Sequence, residues 1–373
     1  MYKSFRVKNF RCFKDLQIND LGRVNLIAGK NNTGKTALME AMYILAGDRD
    51  PRILLRKNLR TAYRLSWDSE QHDAALNASD IINWSTIFRN LATEHNIELY
   101  AALDRPLLPL FLDSTTMSST LRQFPRDSAD YYKIVGDFFF DDIATVAQPD
   151  LLQIKSEHSD KTEHLLIVGN RVIGLTGVSK KPFESEFIGT RDKQGDRINA
   201  KRFSDLRRSV GTSNLCKVLR VIEPRISGLE LLYDGYRTLI FADIGLDRLL
   251  ALSGLGEGIQ RMASLTLAMT DRSIGLLFID EIENGIHYSV QKDVWKAIGQ
   301  LARELDVQVF ATTHSLEMIR AAYEAFSEEG NLDEFRYHRL DRDRDTGEIE
   351  AVTYNELDLD AVATFDFDYE VRG

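Results

Sequence analysis

The chain has 373 residues, a formal net charge of -10, 43% hydrophobic residues and 28% charged residues. That length supports one large or two ordinary domains around a sizeable core, and the composition is that of a soluble globular protein. The acidic balance excludes a protein that coats nucleic acid by bulk charge, though not a local basic groove, and two cysteines, Cys12 and Cys216, exclude a disulfide framework and fit no metal spacing.

The first residues, Met1 to Asp15, lack the apolar core of a signal peptide, and Ile274 to Ile279 is too short to span a bilayer. The expectation is a cytoplasmic protein with no membrane contact. Tyr2 to Val7 alternates like a strand, Leu16 to Ile18 reads as a second, and Arg23 to Ala28 as a third that ends at Gly29. A helix follows from Lys35, with Leu38, Met42 and Leu45 on one stripe and Gly47 as its stop. Residues 49–130 read as a helical, irregular insertion without repeats. From 131 to 190 strands are expected, including Phe138 to Phe140, Leu165 to Val168 and Arg171 to Ile173. Helical pattern resumes from Phe203 to Val221. A hairpin over Leu229 to Phe241 is marked by Asp234-Gly235 between apolar runs. Thereafter helix and buried strand alternate: Ile259 to Thr270, Leu276 to Ile279, Val290 to Leu305, Val307 to Ala311, Leu316 to Phe326. This order predicts parallel strands. Phe335 to Leu340 and Glu348 to Thr353 form a closing hairpin.

Three segments carry chemistry. Gly29-Lys30-Asn31-Asn32-Thr33-Gly34-Lys35-Thr36 fits G-x-x-x-x-G-K-[ST] between a strand and a helix. Its glycines let backbone N–H groups close on a phosphate, and the helix start, through Ala37, adds positive dipole. Lys35 is placed for the β- and γ-phosphates of ATP and Thr36 for Mg²⁺. Leu276 to Ile279 must be buried, so Asp280 and Glu281 emerge at a sheet's C-terminal edge. Asp280 suits a second Mg²⁺ contact and Glu281 the polarising of water; helix capping is the plainer alternative. Ser253-Gly254-Leu255-Gly256-Glu257-Gly258 precedes a helix and forms a second anion site or a flexible glycine turn. One nucleotide needs one phosphate loop, so Ser253, Gly254, Gly256 and Glu257 suit the nucleotide of a second subunit.

In this order the motifs resemble the ABC-type ATPase superfamily. The expected fold is α/β, a P-loop NTPase of ABC-ATPase type, with a mixed sheet, an N-terminal antiparallel β-subdomain and a helical insertion. The resemblance makes Glu283 to His287 a D-loop and His314 the switch histidine sensing the γ-phosphate. Phe5 to Phe13 and Gly29 to Asn32 are similar to the RecF, SMC and OLD (overcoming lysogenization defect) branch, and the resemblance puts Arg11 near the nucleotide. It divides the chain into 1–48 with the phosphate loop, the insertion 49–130, and 131–373 with the remaining motifs. AAA+ ATPases share the phosphate loop but keep the acidic strand end much closer to it than Asp280 is to Lys35 here, 245 positions on (280 − 35). No Q-loop glutamine can be chosen among Gln148, Gln153 and Gln194. The OLD nucleases add a TOPRIM domain, for which the segment after His314 is too short, so Asp341, Asp343, Asp358, Asp360, Asp366 and Asp368 are read as solvated surface.

Arg52, Arg56, Arg60 and Arg64 recur every four residues, and Arg197, Lys201, Arg202, Arg207 and Arg208 form a second basic cluster. Both are candidate contacts for DNA or RNA, or else solvated faces with internal salt bridges. The function expected is an ATPase that dimerises around MgATP and drives or licenses a partner acting on nucleic acid, in DNA repair or anti-phage defence. The alternative is an ATP-gated scaffold, possessing slow turnover, that holds or releases a separately encoded effector or nuclease.

Overall fold

The computed structural model describes residues 1–46, 87–92, 95–103, 116–123, 150–156, 163–168, 171–175, 184–189, 196–209 and 211–359. A six-stranded mixed sheet is built from β3 (Val24–Gly29), β9 (Glu184–Ile188), β13 (Ile274–Ile279), β14 (Gln308–Thr312), β15 (Phe335–Arg342) and β16 (Ile349–Tyr354). Its order is β16-β15-β3-β14-β13-β9. All neighbours are parallel except β15 and β16.

β3, β13 and β14 have nearly every residue buried, as continuous apolar runs in a sheet covered on both faces require. The alternation decides which side each residue feeds. Val24, Leu26 and Ala28 join one core, and Ile27 joins the other.

The second core lies between this sheet and an antiparallel one. That sheet contains β1 (Tyr2–Phe10), β2 (Phe13–Ile18), β4 (Ile97–Leu103), β5 (Thr116–Gln123), β6 (Asp150–Ser156), β7 (Glu163–Val168) and β8 (Arg171–Leu175), in the order β2-β1-β4-β5-β6-β7-β8. Helix α1 (Lys35–Ala46) contributes to the same core. It buries Met39, Ala41 and Tyr43 as well as the expected stripe of Leu38, Met42 and Leu45, because a helix enclosed on several sides has little solvent face to spare. Gln308 ties the sheets by donating to the carbonyls of Tyr2 at 2.9 Å and Gly22 at 2.7 Å.

The opposite face of the mixed sheet carries α2 (Asp196–Ser209), α3 (Ser213–Arg220), α4 (Glu257–Met269), α5 (Gln291–Glu304) and α6 (Leu316–Glu328). A small sheet of β10 (Gly228–Tyr233), β11 (Thr238–Asp243) and β12 (Leu250–Ala251) packs beside α2. No helix among the described residues is long and apolar enough to cross a membrane.

Two expectations change. The described part of the supposed helical insertion is mostly strand: beyond a single 3-10 turn at Arg89–Leu91, β4 and β5 continue the antiparallel sheet. Period-2 burial in Ile97, Leu99, Ala101 and Leu103 makes β4 a half-buried strand. The helix expected over Phe203 to Val221 is two, because the Gly211 N–H turns back to the Leu206 carbonyl at 3.0 Å and ends the first. The expected hairpin forms, with Tyr233 paired to Thr238 across a four-residue loop and the Asp234 carboxylate accepting from the N–H groups of Tyr236 and Arg237. Residues 47–86, including Arg52, Arg56, Arg60 and Arg64, lie outside the described residues, as do Phe138 to Phe140.

Candidate functional site

Three adjacent parallel strands end at one edge of the mixed sheet, and each delivers a motif there. β3 delivers the loop from Gly29, β14 delivers Thr312 to His314, and β13 delivers Asp280 and Glu281. Thr36 and Asp280, 244 positions apart, meet: the Thr36 hydroxyl lies 2.9 and 3.1 Å from the two carboxylate oxygens. Such convergence at the C-terminal edge is where open α/β sheets bind ligands.

The phosphate loop is shaped from both flanks. Gly34 has φ of 86° and leaves no room for a side chain, since a Cβ would meet the Cys12 sulfur and the Phe13 ring. The turn between β1 and β2 thus leans on the loop, and the Arg11 guanidinium, 2.9 Å from buried Glu40 on α1, is held on that side. The Arg342 guanidinium donates to the Asn32 carbonyl at 3.0 Å, a support that the sequence reading missed. Thr33 closes the turn by donating to the Lys30 carbonyl at 2.9 Å. Asn32 is itself left-handed, with φ of 68°. Lys35 donates to the carbonyls of Gly29 at 2.7 Å and Lys30 at 3.0 Å. Burial pulls its ammonium below the usual lysine range, opposed by the charges of Glu283, Asp280 and Glu281. A desolvated cation among loop N–H groups suits phosphate oxygens.

Asp280 is held by a residue with no role in the sequence reading. Buried Thr312 donates to Asp280 Oδ1 at 2.7 Å and accepts from the Glu281 N–H at 2.8 Å. Glu281 has φ of 50°, a left-handed conformation costly for a glutamate and typical of functional sites. Asn284 donates to Glu281 Oε2 at 2.8 Å. Arg261 on α4, mostly buried, donates to the carbonyls of Asp280 and Glu281, the latter at 3.0 Å. Burial lowers its pKa, and the acids around it oppose that. A hydroxyl and a carboxylate in contact supply two hard oxygens, which fits Mg²⁺, an ion that completes its shell with water and phosphate oxygens.

Ser253 and Gly254 lie exposed, with open space around Gly254. Gly256 is the N-cap of α4, and no side chain caps that helix. Glu257 is the acid in its first turn. His314 is half exposed and paired with Glu283. Gln153 lies on β6, whereas Gln148 and Gln194 fall outside the described residues. The second basic cluster is partly committed. Arg202 pairs with Glu186 at 2.7 Å and with Asp271 at 3.6 Å, and Lys201 and Arg208 both pair with Asp205. Arg197 and Arg207 are exposed on the same helix.

Residues 24–320 match the family AAA_21, described as "AAA domain, putative AbiEii toxin, Type IV TA system". The chain is 25% identical over 336 residues, 86% of each chain, to an "ATP/GTP phosphatase" of Helicobacter pylori. A shorter stretch of 91 residues, 24% of this chain and 18% of the relative, is 33% identical to the DNA replication and repair protein RecF of Oenococcus oeni. Among solved structures, the Smc head domain with an extended coiled coil bound to the C-terminal domain of ScpA, from Pyrococcus furiosus, superposes with TM-score 0.56 at 10% identity, covering 97% of this chain and 98% of that one.

Proposed function

We propose, from the premise that this chain belongs to the AAA_21 family and is an ABC-type ATPase of the RecF/SMC branch, that it binds MgATP and hydrolyses it between two copies of itself. Lys35, Thr36 and Asp280 of one copy would hold the triphosphate and Mg²⁺, with the N–H groups from Gly29 to Ala37 around the phosphates. The metal would neutralise charge developing on the phosphoryl group. Ser253 and Gly254 of the second copy would complete the site. Glu281 would orient the attacking water and His314 would sense the terminal phosphate.

The observation that carries this reading is the Thr36–Asp280 contact, with Glu281 held beside it by Thr312 and Asn284. It brings a phosphate loop and an acidic pair from distant parts of the chain into one site. The relatives' names support a role with a partner in nucleic-acid maintenance: one relative is a replication and repair protein, and a structural neighbour is bound to a ScpA domain. The family description's toxin–antitoxin wording favours a second reading, an ATP-held scaffold for a separately encoded effector.

Glu281→Gln tests the hydrolytic reading. The variant is expected to bind ATP, to lose about 10²-fold or more in turnover, and to accumulate a dimer with ATP in sedimentation. Full turnover in Glu281→Gln rejects the assignment of that residue. Specific activity that stays constant on dilution rejects the shared site. Nucleic-acid-stimulated turnover supports the first reading, and stable co-purification with an effector in the absence of such stimulation supports the second.

A further inference from the structure

One acid of the site has no part in the scheme above. Glu283 is nine-tenths buried and stands two residues beyond Glu281. Its Oε1 accepts from the His314 backbone N–H at 2.9 Å and lies 2.9 Å from His314 Nδ1. A single carboxylate oxygen therefore grips both the backbone and the ring of one residue. Glu281 is engaged elsewhere, accepting from the Asn284 side chain.

We infer that Glu283 is a positioning residue that fixes the His314 ring with Nδ1–H turned to its carboxylate, so that Nε2 is the nitrogen presented to the terminal phosphate of a nucleoside triphosphate. The inference rests on the functional reading for its ligand, and on the geometry alone for the pairing. A ring nitrogen that donates to a carboxylate fixes which of the two nitrogens meets the ligand. The rest of the loop is braced for the same purpose. Thr313 Oγ1 accepts from the Ser315 N–H at 3.0 Å, and Ser315 Oγ caps α6 by accepting from the Met318 N–H at 3.1 Å. On the other side, the Ile282 N–H donates to the Thr312 carbonyl at 2.9 Å. With both ends of the loop anchored, the half-exposed imidazole would otherwise turn about its own side-chain bonds, and Glu283 removes that freedom.

The test uses the full chain without nucleotide, labelled with ¹⁵N-histidine. With seven histidines in the chain, the His314 signals are assigned by subtraction in His314→Asn. Two-bond ¹H–¹⁵N correlations are expected to show Nδ1 protonated in the wild type and the mixture of a free histidine ring in Glu283→Ala. Turnover should fall about 10- to 100-fold in Glu283→Ala, as for other groups that orient a functional histidine, with the dissociation constant for ATP changed less than about threefold. Glu283→Gln retains an acceptor for the backbone N–H. It is expected to fold normally and to lie between wild type and Glu283→Ala in turnover. Identical ring spectra in wild type and Glu283→Ala overturn the inference, and so does unchanged turnover in Glu283→Ala. A wild-type chain that turns over no nucleotide would defeat the functional reading instead, while the ring spectra would still decide the pairing.

Discussion

At the scale of single residues, the candidate site depends on groups whose importance spacing cannot reveal. Lys35, Thr36, Asp280 and Glu281 are legible because phosphate and Mg²⁺ chemistry demands those types after a strand. Thr312 is not legible, since a threonine ending a buried strand is ordinary until its neighbours are seen. Its hydroxyl donates to Asp280 and accepts from the Glu281 N–H, so it holds both acids at once. Thr312→Val keeps the shape, leaves the part-buried Glu281 N–H without this acceptor and leaves Asp280 Oδ1 with only its Thr36 contact of the two hydroxyls. The expected cost is about 1–3 kcal/mol in chemical denaturation, with turnover reduced further than ATP binding. An unchanged denaturation midpoint would show that Thr312 is not the support described.

At the scale of elements, the alternating helices and strands after Leu252 were legible because each run has one period and a clear stop. The segment around β4 was misread because short apolar runs fit helix and strand alike, and only the partner strands β1 and β5 decide. The contact between the start of α4 and the loop that follows Glu281 was also out of reach. Gly258 and Gly285 approach so closely that a Cβ on Gly258 would lie 2.1 Å from the Gly285 carbonyl oxygen, well inside contact distance. With Arg261 donating to the Asp280 and Glu281 carbonyls, α4 is joined to the acidic loop at two points. Gly258→Ala must push these elements apart. The expected loss is about 1–3 kcal/mol of stability, as for overpacked cores, and turnover should fall while ATP affinity, which the proposal places at Lys35 and Thr36, holds within a few-fold. Turnover equal to wild type would separate the helix from the chemistry.

At the scale of the whole molecule, the phosphate loop is fixed at one end by β3, and β3 is paired on its outer side by β15. His338 on β15 is wholly buried there, with Nδ1 3.0 Å from Thr353 Oγ1 and Nε2 3.3 Å from Asn25 Oδ1. Asn25 Oδ1 also accepts from the Gly22 N–H at 2.9 Å, so the ring donates from Nε2 and accepts from Thr353 at Nδ1, a neutral tautomer assigned from the network. Burial pushes the His338 pKa from 6.5 to about 3. The native state therefore stays unprotonated down to that pH, whereas the unfolded chain takes up a proton below about 6.5. Between the two values the unfolded state binds the extra proton, so stability rises with pH and is lost on acidification. From pH 6.5 to 5 the loss from this one group is about 2 kcal/mol. The carboxylates of Glu223 and Glu328, which their basic partners hold at about 2, add their own loss only below pH 4.5. Urea denaturation at pH 7, 6 and 5 isolates the effect: His338→Gln should be less stable at pH 7 but lose about 2 kcal/mol less than wild type on going to pH 5. Parallel losses in the two proteins would mean that the ring is accessible to protons in the native sheet, and that β15 does not shield the base of the phosphate loop from acid.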